Sequence, residues 1–242
     1  MTAVVLTRDE ERNLPRALTS LPRGIAIFVL DAGSRDHTLQ FAKASGARVV
    51  QREWTDFVDA RRFALSQVET PWTLMIDADE ALDDVLCAAI LDAPADREAY
   101  RVKRATYFCG KLMRIWRGES LVRLFRTDRV TLEPHPAAAV GAPLHEAWRC
   151  EGSVGELPGT LLHYSYPDTA SYRTKFDRYT SLEAAHMRPS VWRLLAAYFG
   201  SIARLCWLLF GRAALLDGPR GWYVAYRSAS YPVVAARKAL LR

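Results

Sequence analysis

Short apolar runs alternate with segments of helical spacing through the first 92 residues, and this alternation constrains the fold more than any other feature. Four apolar runs predict buried strands, at 3–6, 25–30, 47–50 and 72–76. Three intervening segments predict helices, at 10–21, 38–45 and 57–68. Strands that alternate with helices of this length form a parallel sheet covered by helices. The sequence therefore predicts an α/β fold.

Acidic residues follow two of these predicted strands. Asp31 ends the second strand, and Asp77-Ala78-Asp79-Glu80 follows the fourth. In parallel sheets, ligands bind at the carboxyl ends of the strands. Two aspartates one residue apart suit a hard divalent cation, and such cations commonly serve substrates that carry phosphates. These residues predict an enzyme that acts on a nucleotide diphosphate.

Basic residues are concentrated towards the C-terminus. The net charge of the 242 residues is +6, and residues 190–242 hold eight Lys or Arg against one acid, Asp217. Such a segment favours an anionic partner, either lipid head groups or nucleic acid.

The segment 191–210 is almost wholly apolar or aromatic, but Arg193 and Arg204 interrupt it. An Arg well inside a membrane span costs about 2.5–3.5 kcal/mol. A helix that lies in the membrane interface, with its arginines reaching towards the head groups, fits better than a span. A core helix of a soluble domain is the alternative.

The four cysteines are widely spaced and form neither a C-x-x-C pair nor a disulfide framework, which indicates a reducing compartment. The N-terminal apolar run reaches charged residues by Arg8, too soon for the apolar region of a secretory signal. We therefore expect a cytoplasmic protein, attached peripherally to the cytoplasmic face of the inner membrane.

A series of motifs between residues 7 and 221 resembles the family 2 glycosyltransferases, most closely the short bacterial members that are similar to lipopolysaccharide core β-glycosyltransferases. In chain order the motifs are Thr7-Arg8-Asp9-Glu10, Asp31-Ala32-Gly33-Ser34-Arg35-Asp36-His37-Thr38, Asp77-Ala78-Asp79-Glu80, Arg123-Leu124-Phe125-Arg126, Leu144-His145-Glu146, Leu162-His163-Tyr164-Ser165-Tyr166 and Leu216-Asp217-Gly218-Pro219-Arg220-Gly221.

The resemblance implies a GT-A fold, with a Rossmann-like, mostly parallel sheet, flanking helices, a mixed acceptor region and C-terminal amphipathic helices. It implies a nucleotide-sugar-binding half at 1–92, an acceptor and catalytic half of the same domain at 93–188, and a membrane-surface segment at 189–242. The implied reaction moves a sugar, by default a hexose, from a nucleotide diphosphate sugar to a lipid-linked or cell-envelope glycan, with inversion. A UDP-sugar is the default donor.

The resemblance also implies roles for residues at the strand ends. Thr7 and Glu10 would line the nucleoside pocket, and Asp31 would bind the base. Asp77 would contact the ribose or the metal-bound diphosphate. Asp79 would hold Mg²⁺ or Mn²⁺ across both phosphates, where the cation stabilises the departing nucleoside diphosphate.

The chain departs from the family pattern at three positions. Asp9 stands where the family usually carries Asn, Ala32 where it more often carries Ser or Asp, and Arg62 where it usually carries Asn. The neighbouring Arg61 keeps its expected place. It either neutralises the diphosphate or is a solvated helical arginine.

Inversion requires a general base that deprotonates the acceptor hydroxyl. Glu146 is the predicted base, because it matches the family's His-Glu pair. Glu80 is the competitor, although a neighbouring cation would lower its basicity, and Asp83 and Asp84 are further alternatives.

His145 and His163 are the predicted additional metal ligands, because neutral imidazole binds ions such as Mn²⁺. A structural, hydrogen-bonded histidine is the alternative at either position.

Two other classes of function were weighed. A sugar-phosphate nucleotidyltransferase would carry a basic, glycine-rich phosphate loop near the N-terminus, whereas residues 7–11 are acidic and lack glycine. A non-enzymatic basic module bound to nucleic acid or membrane leaves the acidic strand ends unexplained, because carboxylates repel phosphates. Nucleic acid is therefore not a predicted partner.

Overall fold

The computed structural model describes residues 1–53, 57–134 and 146–242, and for residues 57, 133, 134, 146 and 147 it describes the backbone alone. The described chain forms two compact units. Of the described residues, unit 1 contains 1–53, 57–105, 118–134 and 146–164, and unit 2 contains 106–117 and 165–242. The division at 1–92, 93–188 and 189–242 stays a prediction.

The strands are β1 Thr2–Thr7, β2 Ala26–Asp31, β3 Arg48–Gln51, β4 Trp72–Asp77, β5 Glu80–Leu82, β6 Ala99–Phe108, β7 Lys111–Leu112, β8 Glu119–Arg126, β9 Val130–Pro134, β10 Glu146–Cys150 and β11 Val154–Tyr166. The α-helices are α1 Leu14–Thr19, α2 Thr38–Ala44, α3 Phe57–Ser66, α4 Asp84–Leu91, α5 Thr169–His186, α6 Val191–Cys206 and α7 Pro219–Leu240.

The main sheet confirms the α/β prediction. Its strand order is β3-β2-β1-β4-β8-β6-β11-β5, and the four strands predicted from apolar runs pair in parallel at one side. β8 joins β4 in antiparallel pairing and begins the mixed region. The register places Thr7 beside Asp31 and Leu6 beside Asp77, so the carboxyl ends of β1, β2 and β4 meet at one edge.

The alternation of side chains along β1 explains why this sheet is buried on both faces. Val5 packs into one apolar cluster together with Leu14 of α1. Val4 and Leu6 point to the other face and pack with Ala60 of α3. Successive residues of a strand face opposite sides, so a continuous apolar run is what a strand covered by helices on both faces requires.

Two predicted elements differ from the structure. The first helix begins at Leu14 rather than at residue 10, because residues 8–13 form a turn that hydrogen-bonds to the loop after β2. Residues 131–159 are rich in Pro and Gly and predict a loop with short strands, whereas the structure forms one long strand, β11, from Val154 to Tyr166. Gly159 is needed there, because its φ is +92° and a Cβ would lie 2.2 Å from the backbone nitrogen of Leu86.

Asp217 connects two segments of unit 2. Its carboxylate accepts hydrogen bonds from the amides of Arg114 and Ile115, each at 3.0 Å, and it is 1% exposed. Gly218 follows with a φ of +66°, and a Cβ on Gly221 would lie 1.9 Å from the carbonyl oxygen of Ala214. Local structure therefore accounts for Asp217, Gly218 and Gly221 of the motif at 216–221.

Helix α6 leaves its apolar side chains exposed. It has no buried residue, and Trp192 and Phe199 are 81% and 70% exposed. Among the described residues, Val191–Gly211 is the one helical segment that is long and apolar enough to cross a membrane by length and composition, and 11% of its most apolar window is buried.

Candidate active site

Two loops at the carboxyl ends of β1 and β2 are joined by reciprocal hydrogen bonds. The amides of Asp9 and Glu10 donate to the hydroxyls of Ser34 and Thr38, each at 2.8 Å. In the other direction, the amide of Arg35 donates to Asp9 Oδ1 at 2.8 Å. Asp9 has a φ of +53°, a conformation that Asp and Asn tolerate better than most residues. The departure from Asn at this position therefore preserves the turn.

Asp36 strengthens the same junction. Its Oδ1 accepts from the amide of Thr38 at 3.0 Å, and its Oδ2 accepts from the amide of Glu11 at 3.1 Å. Burial acts to raise the pKa of Asp36, but hydrogen bonds from Thr38 and Glu11 hold that pKa below its ordinary value. The carboxylate is thus a structural part of the loop pair.

Thr7 and Asp31 lie side by side at these strand ends and are 2% and 0% exposed. Asp31 Oδ2 accepts from the amides of Gly33 and Ser34, each at 2.9 Å, so this carboxylate stabilises its own turn. The Thr7 hydroxyl is buried without a hydrogen-bond partner among the described residues. An unpaired buried hydroxyl costs about 1–3 kcal/mol, which makes Thr7 an orphaned polar group at this edge.

Asp77 at the end of β4 is held by two arginines. Arg61 of α3 donates to Asp77 Oδ1 at 2.6 Å, and Arg123 of β8 donates to Oδ2 at 3.0 Å. Burial acts to raise the pKa of Asp77, but the charges of Arg61 and Arg123 hold it well below its usual range. Asp77 is therefore ionised, and both of its oxygens have partners.

Glu80 belongs to the same cluster and is 1% exposed. Its Oε1 accepts from Arg123 at 2.6 Å and from Arg104 at 3.3 Å, and its Oε2 accepts from the amide of Asp77 at 3.0 Å. Arg104 is held in turn by two hydrogen bonds to Glu119, at 2.9 and 2.6 Å. A carboxylate enclosed in this way cannot reach an acceptor, so the geometry disfavours Glu80 as the base.

Asp79, two residues after Asp77, lies next to His163. The two side chains are 16% and 15% exposed, and His163 Nε2 lies 3.4 Å from Asp79 Oδ2. Antiparallel pairing of β11 with β5 sets His163 opposite Glu80, and the amide of Tyr164 donates to the carbonyl oxygen of Asp79 at 2.8 Å. Strand pairing therefore brings together two of the three predicted metal ligands.

The chemistry of this pair fits a divalent cation of the predicted kind. A carboxylate and a neutral imidazole are both ligands for Mn²⁺, and Mg²⁺ and Mn²⁺ sites commonly take further oxygens from substrate phosphates and water. Within residues 1–53, 57–134 and 146–242, no group of three or more His, Cys, Asp or Glu side chains is placed to hold a metal.

The remaining predicted site residues are placed as follows. Glu10 accepts a hydrogen bond from Asn13 at 2.8 Å. Arg61 is 6% exposed and so is no solvated helical arginine, while its neighbour Arg62 donates to the carbonyl oxygen of Leu132 at 2.7 Å. Glu146 begins β10, but its side chain lies outside the described residues, as does the whole of His145.

Sequence reasoning missed the roles of Arg123 and Arg104. The signal for Arg123 is its position inside the apolar run of β8, between Val122 and Leu124. A charged residue inside such a run indicates a buried, paired charge, because an unpaired one would be too costly. No comparable signal marks Arg104, which lies in a strand rich in basic residues.

The profile described as "Glycosyl transferase family 2" matches residues 2–138, more than half of the chain. The chain belongs to glycosyl transferase family 2. The match covers the strand ends that carry Thr7, Asp31, Asp77 and Asp79, and it identifies the protein as a glycosyltransferase. It favours glycosyl transfer over the nucleotidyltransferase and the non-enzymatic alternatives.

Curated relatives agree with this family. The chain is 27% identical to the lipopolysaccharide core biosynthesis glycosyltransferase LpsC of Rhizobium meliloti over 252 residues, which cover 98% of this chain and 91% of LpsC. It is 31% identical over 129 residues to an uncharacterized glycosyltransferase of Rickettsia typhi, covering 52% of this chain and 42% of that relative.

Solved structures show partial likeness. S. aureus TarS 1–349 in complex with UDP matches with a TM-score of 0.40 and 20% identity, over 52% of this chain and 46% of that one. Glucosyl-3-phosphoglycerate synthase from Mycobacterium tuberculosis, crystallised with Mn²⁺, UDP and glucosyl-3-phosphoglycerate, matches with a TM-score of 0.37 and 23% identity, over 44% and 43%. The fold assignment rests on the sheet order and the family match.

We predict that Arg123→Met lowers the free energy of unfolding by about 3–5 kcal/mol, because it leaves Asp77 and Glu80 in a buried site without their shared cation. Urea unfolding measures the change. The control is Arg101→Met, at an exposed position of β6, where we expect a change within about 0.5 kcal/mol. Equal losses in the two variants would contradict the assignment of Arg123.

Proposed function

We propose that this glycosyltransferase moves a hexose from a UDP-sugar to a lipid-linked or cell-envelope glycan, with inversion at the anomeric carbon. The observation that carries the proposal is the Asp79–His163 pair, which lies at the edge where Thr7 and Asp31 end their strands. The near full-length similarity to LpsC, a lipopolysaccharide core biosynthesis enzyme, supports an envelope glycan as the acceptor.

The donor nucleoside is proposed to bind at the paired loops after β1 and β2. The unpartnered hydroxyl of Thr7 supports this placement, because a ligand there would satisfy it. Glu10 and Asp31 are proposed to complete the pocket. The hydrogen bonds between the loops pre-organise it, so little ordering would be needed when the nucleotide binds.

The diphosphate is proposed to lie at the end of β4. Asp79 and His163 would hold Mg²⁺ or Mn²⁺ there, with His145 as a proposed third ligand. When bound, the cation would stabilise the negative charge of the departing nucleoside diphosphate. Arg61 is buried next to Asp77 and would add positive charge at the same strand end.

We predict that Asp79→Asn removes most of the gain in UDP affinity that Mn²⁺ provides, by at least about tenfold, since even indirect partners of a metal are worth about 10- to 100-fold. Calorimetric titration of UDP with and without Mn²⁺ measures the gain. The control is Asp84→Asn, at an exposed acid of α4, which should keep it.

An unchanged gain in Asp79→Asn would overturn the metal assignment. A wild-type protein that folds but binds no nucleotide-sugar under either condition would overturn the proposal of sugar transfer.

Glu146 is proposed as the general base for the acceptor hydroxyl. Its residue type and its place in the motif Leu144-His145-Glu146 support the choice, and the burial of Glu80 makes that residue the less suitable base. The base must stand on the side of the sugar opposite the leaving group, so it should be separate from the residues that hold the diphosphate.

Replacing Glu146 with Gln is expected to lower kcat about 10²- to 10⁴-fold, because the amide cannot accept the proton. The dissociation constant for UDP should stay unchanged, since the base contacts the acceptor and not the nucleotide. Glu151→Gln, an exposed acid just after β10, serves as the control. Full activity in Glu146→Gln would contradict the assignment of Glu146 as the base. A large loss of UDP affinity would instead make Glu146 a binding residue.

We also propose that the enzyme is cytoplasmic and that unit 2 attaches it to an anionic membrane surface. Large apolar side chains of α6 and of the turn that follows it are exposed, including Trp192, Phe199 and Phe210. The single acid between residues 187 and 242 is Asp217, which is buried. An exposed apolar face on a segment that is otherwise basic suits a membrane with anionic head groups.

The proposed attachment is in the plane of the interface. The helical segment Val191–Gly211 is long enough for a span, but an Arg well inside a span costs about 2.5–3.5 kcal/mol. Arg193 and Arg204 are eleven positions apart, which is about three turns, so both leave the helix on one side. Their heads would reach the lipid phosphates while the apolar side enters the leaflet.

The double variant Trp192→Ser, Phe199→Ser is expected to bind phosphatidylglycerol-containing vesicles at least about tenfold more weakly, because each buried large apolar side chain is worth about 1.5–3 kcal/mol. Vesicle co-sedimentation measures this. The matched control replaces two exposed apolar residues of α4, Val85→Ser and Leu91→Ser, and should bind normally. Equal binding by both double variants would refute membrane attachment through α6.

A further inference from the structure

Unit 2 contains an open cavity between α5 and α7 that the proposed sugar transfer does not use. Its lining consists of Ala170, Arg173, Thr174, Asp177, Arg178 and Arg227. Three of these six residues are arginines, contributed by both helices.

Helical geometry explains how α5 shapes this cavity. Ala170, Thr174 and Asp177 are spaced by four and three positions, so they lie along one face of the helix. Arg173 and Arg178 lie on the two flanks of that face. The hydroxyl of Thr174 donates to the carbonyl oxygen of Ala170 at 3.1 Å. The small side chains of Ala170 and Thr174 therefore line the cavity between the positions of Arg173 and Arg178.

Arg227 of α7 supplies the third guanidinium. Its Cζ lies 4.0 Å from the centre of the Phe176 ring, a cation–π contact that restrains the guanidinium group against α5. The Nε atom of Arg227 is buried and has no hydrogen-bond partner among the described residues. A buried donor of this kind favours an acceptor that comes from outside the chain.

The one acid of the cavity is already neutralised. Lys238 donates to Asp177 Oδ1 at 2.6 Å and to the backbone carbonyl oxygen of Asp177 at 3.0 Å. It is held further by the hydroxyls of Thr180 and Ser181, at 2.9 and 2.8 Å. In the described part of the chain, no carboxylate lies within 4.0 Å of the guanidinium nitrogens of Arg173, Arg178 or Arg227.

We propose that this cavity binds a phosphate group, carried either by a soluble phosphorylated glycan or by a lipid head group. Three guanidinium groups that line one cavity favour a multiply charged anion there, and the planar fork of arginine matches phosphate oxygens two at a time. The site is separate from the proposed donor site, which is built from unit 1, and its test does not require sugar transfer.

The test is a titration of the full chain with inorganic phosphate at constant ionic strength, followed by line broadening of the phosphorus NMR signal. Arg227→Gln and Arg178→Gln are each expected to raise the dissociation constant at least about fivefold. Arg227→Lys should give an intermediate value, because it keeps the charge but loses the fork. Arg237→Gln, at an exposed position of α7 outside the cavity, removes the same charge and should bind as the wild type does.

The two sources are separated with phosphatidylcholine vesicles that contain or lack phosphatidic acid. Weaker binding of Arg178→Gln to the acidic vesicles, together with weaker phosphate binding, assigns a lipid head group. Weaker phosphate binding alone assigns a soluble phosphate ester. Arg178 is exposed, so this variant keeps the test decisive if Arg227→Gln fails to fold. The proposal would be overturned if Arg227→Gln and Arg178→Gln bound phosphate as tightly as the control Arg237→Gln does. That result would mean adventitious anion binding only.

Discussion

The guanidinium of Arg123 holds two carboxylates of the motif after β4, and the arrangement of the candidate site depends on that contact. Asp77 and Glu80 both bind this one buried group, so the turn between β4 and β5 is pulled against β8. Arg61 and Arg104 complete the cluster. While the arginines hold Asp77 and Glu80, Asp79 is the acid of the motif that lies against His163.

The cluster is close to neutral, with the three arginines opposed by Asp77, Glu80 and Glu119. Because desolvation offsets much of the attraction within buried ion pairs, we interpret the cluster as a device that specifies one conformation of the strand end rather than one that adds stability. A metal-dependent transfer benefits from such rigidity, since stabilisation of a leaving group relies on ligands that are already in place.

Unit 2 uses its charges differently. Asp217 is its buried acid and accepts hydrogen bonds from the turn that begins at Arg114, so this carboxylate has a structural role. Asp217 is also the single acid of residues 187–242, and Trp192 and Phe199 of α6 are exposed. The excess of basic residues suits anionic groups, and the exposed apolar side chains suit the membrane interior. The proposed membrane face and the proposed phosphate site therefore both belong to unit 2.

The sequence by itself determined the four parallel strands, the acids at their ends and the family. Apolar periodicity and acidic strand ends are local patterns, so they are readable without the fold. Only the tertiary structure decided which acids pair with arginines and which one meets His163, because that depends on Arg123 and on pairing between β5 and β11, which are distant along the chain. β11 contains glycines and Pro158, which are typical of loops, so its local sequence does not predict one long strand. Long-range pairing therefore placed His163 beside Asp79.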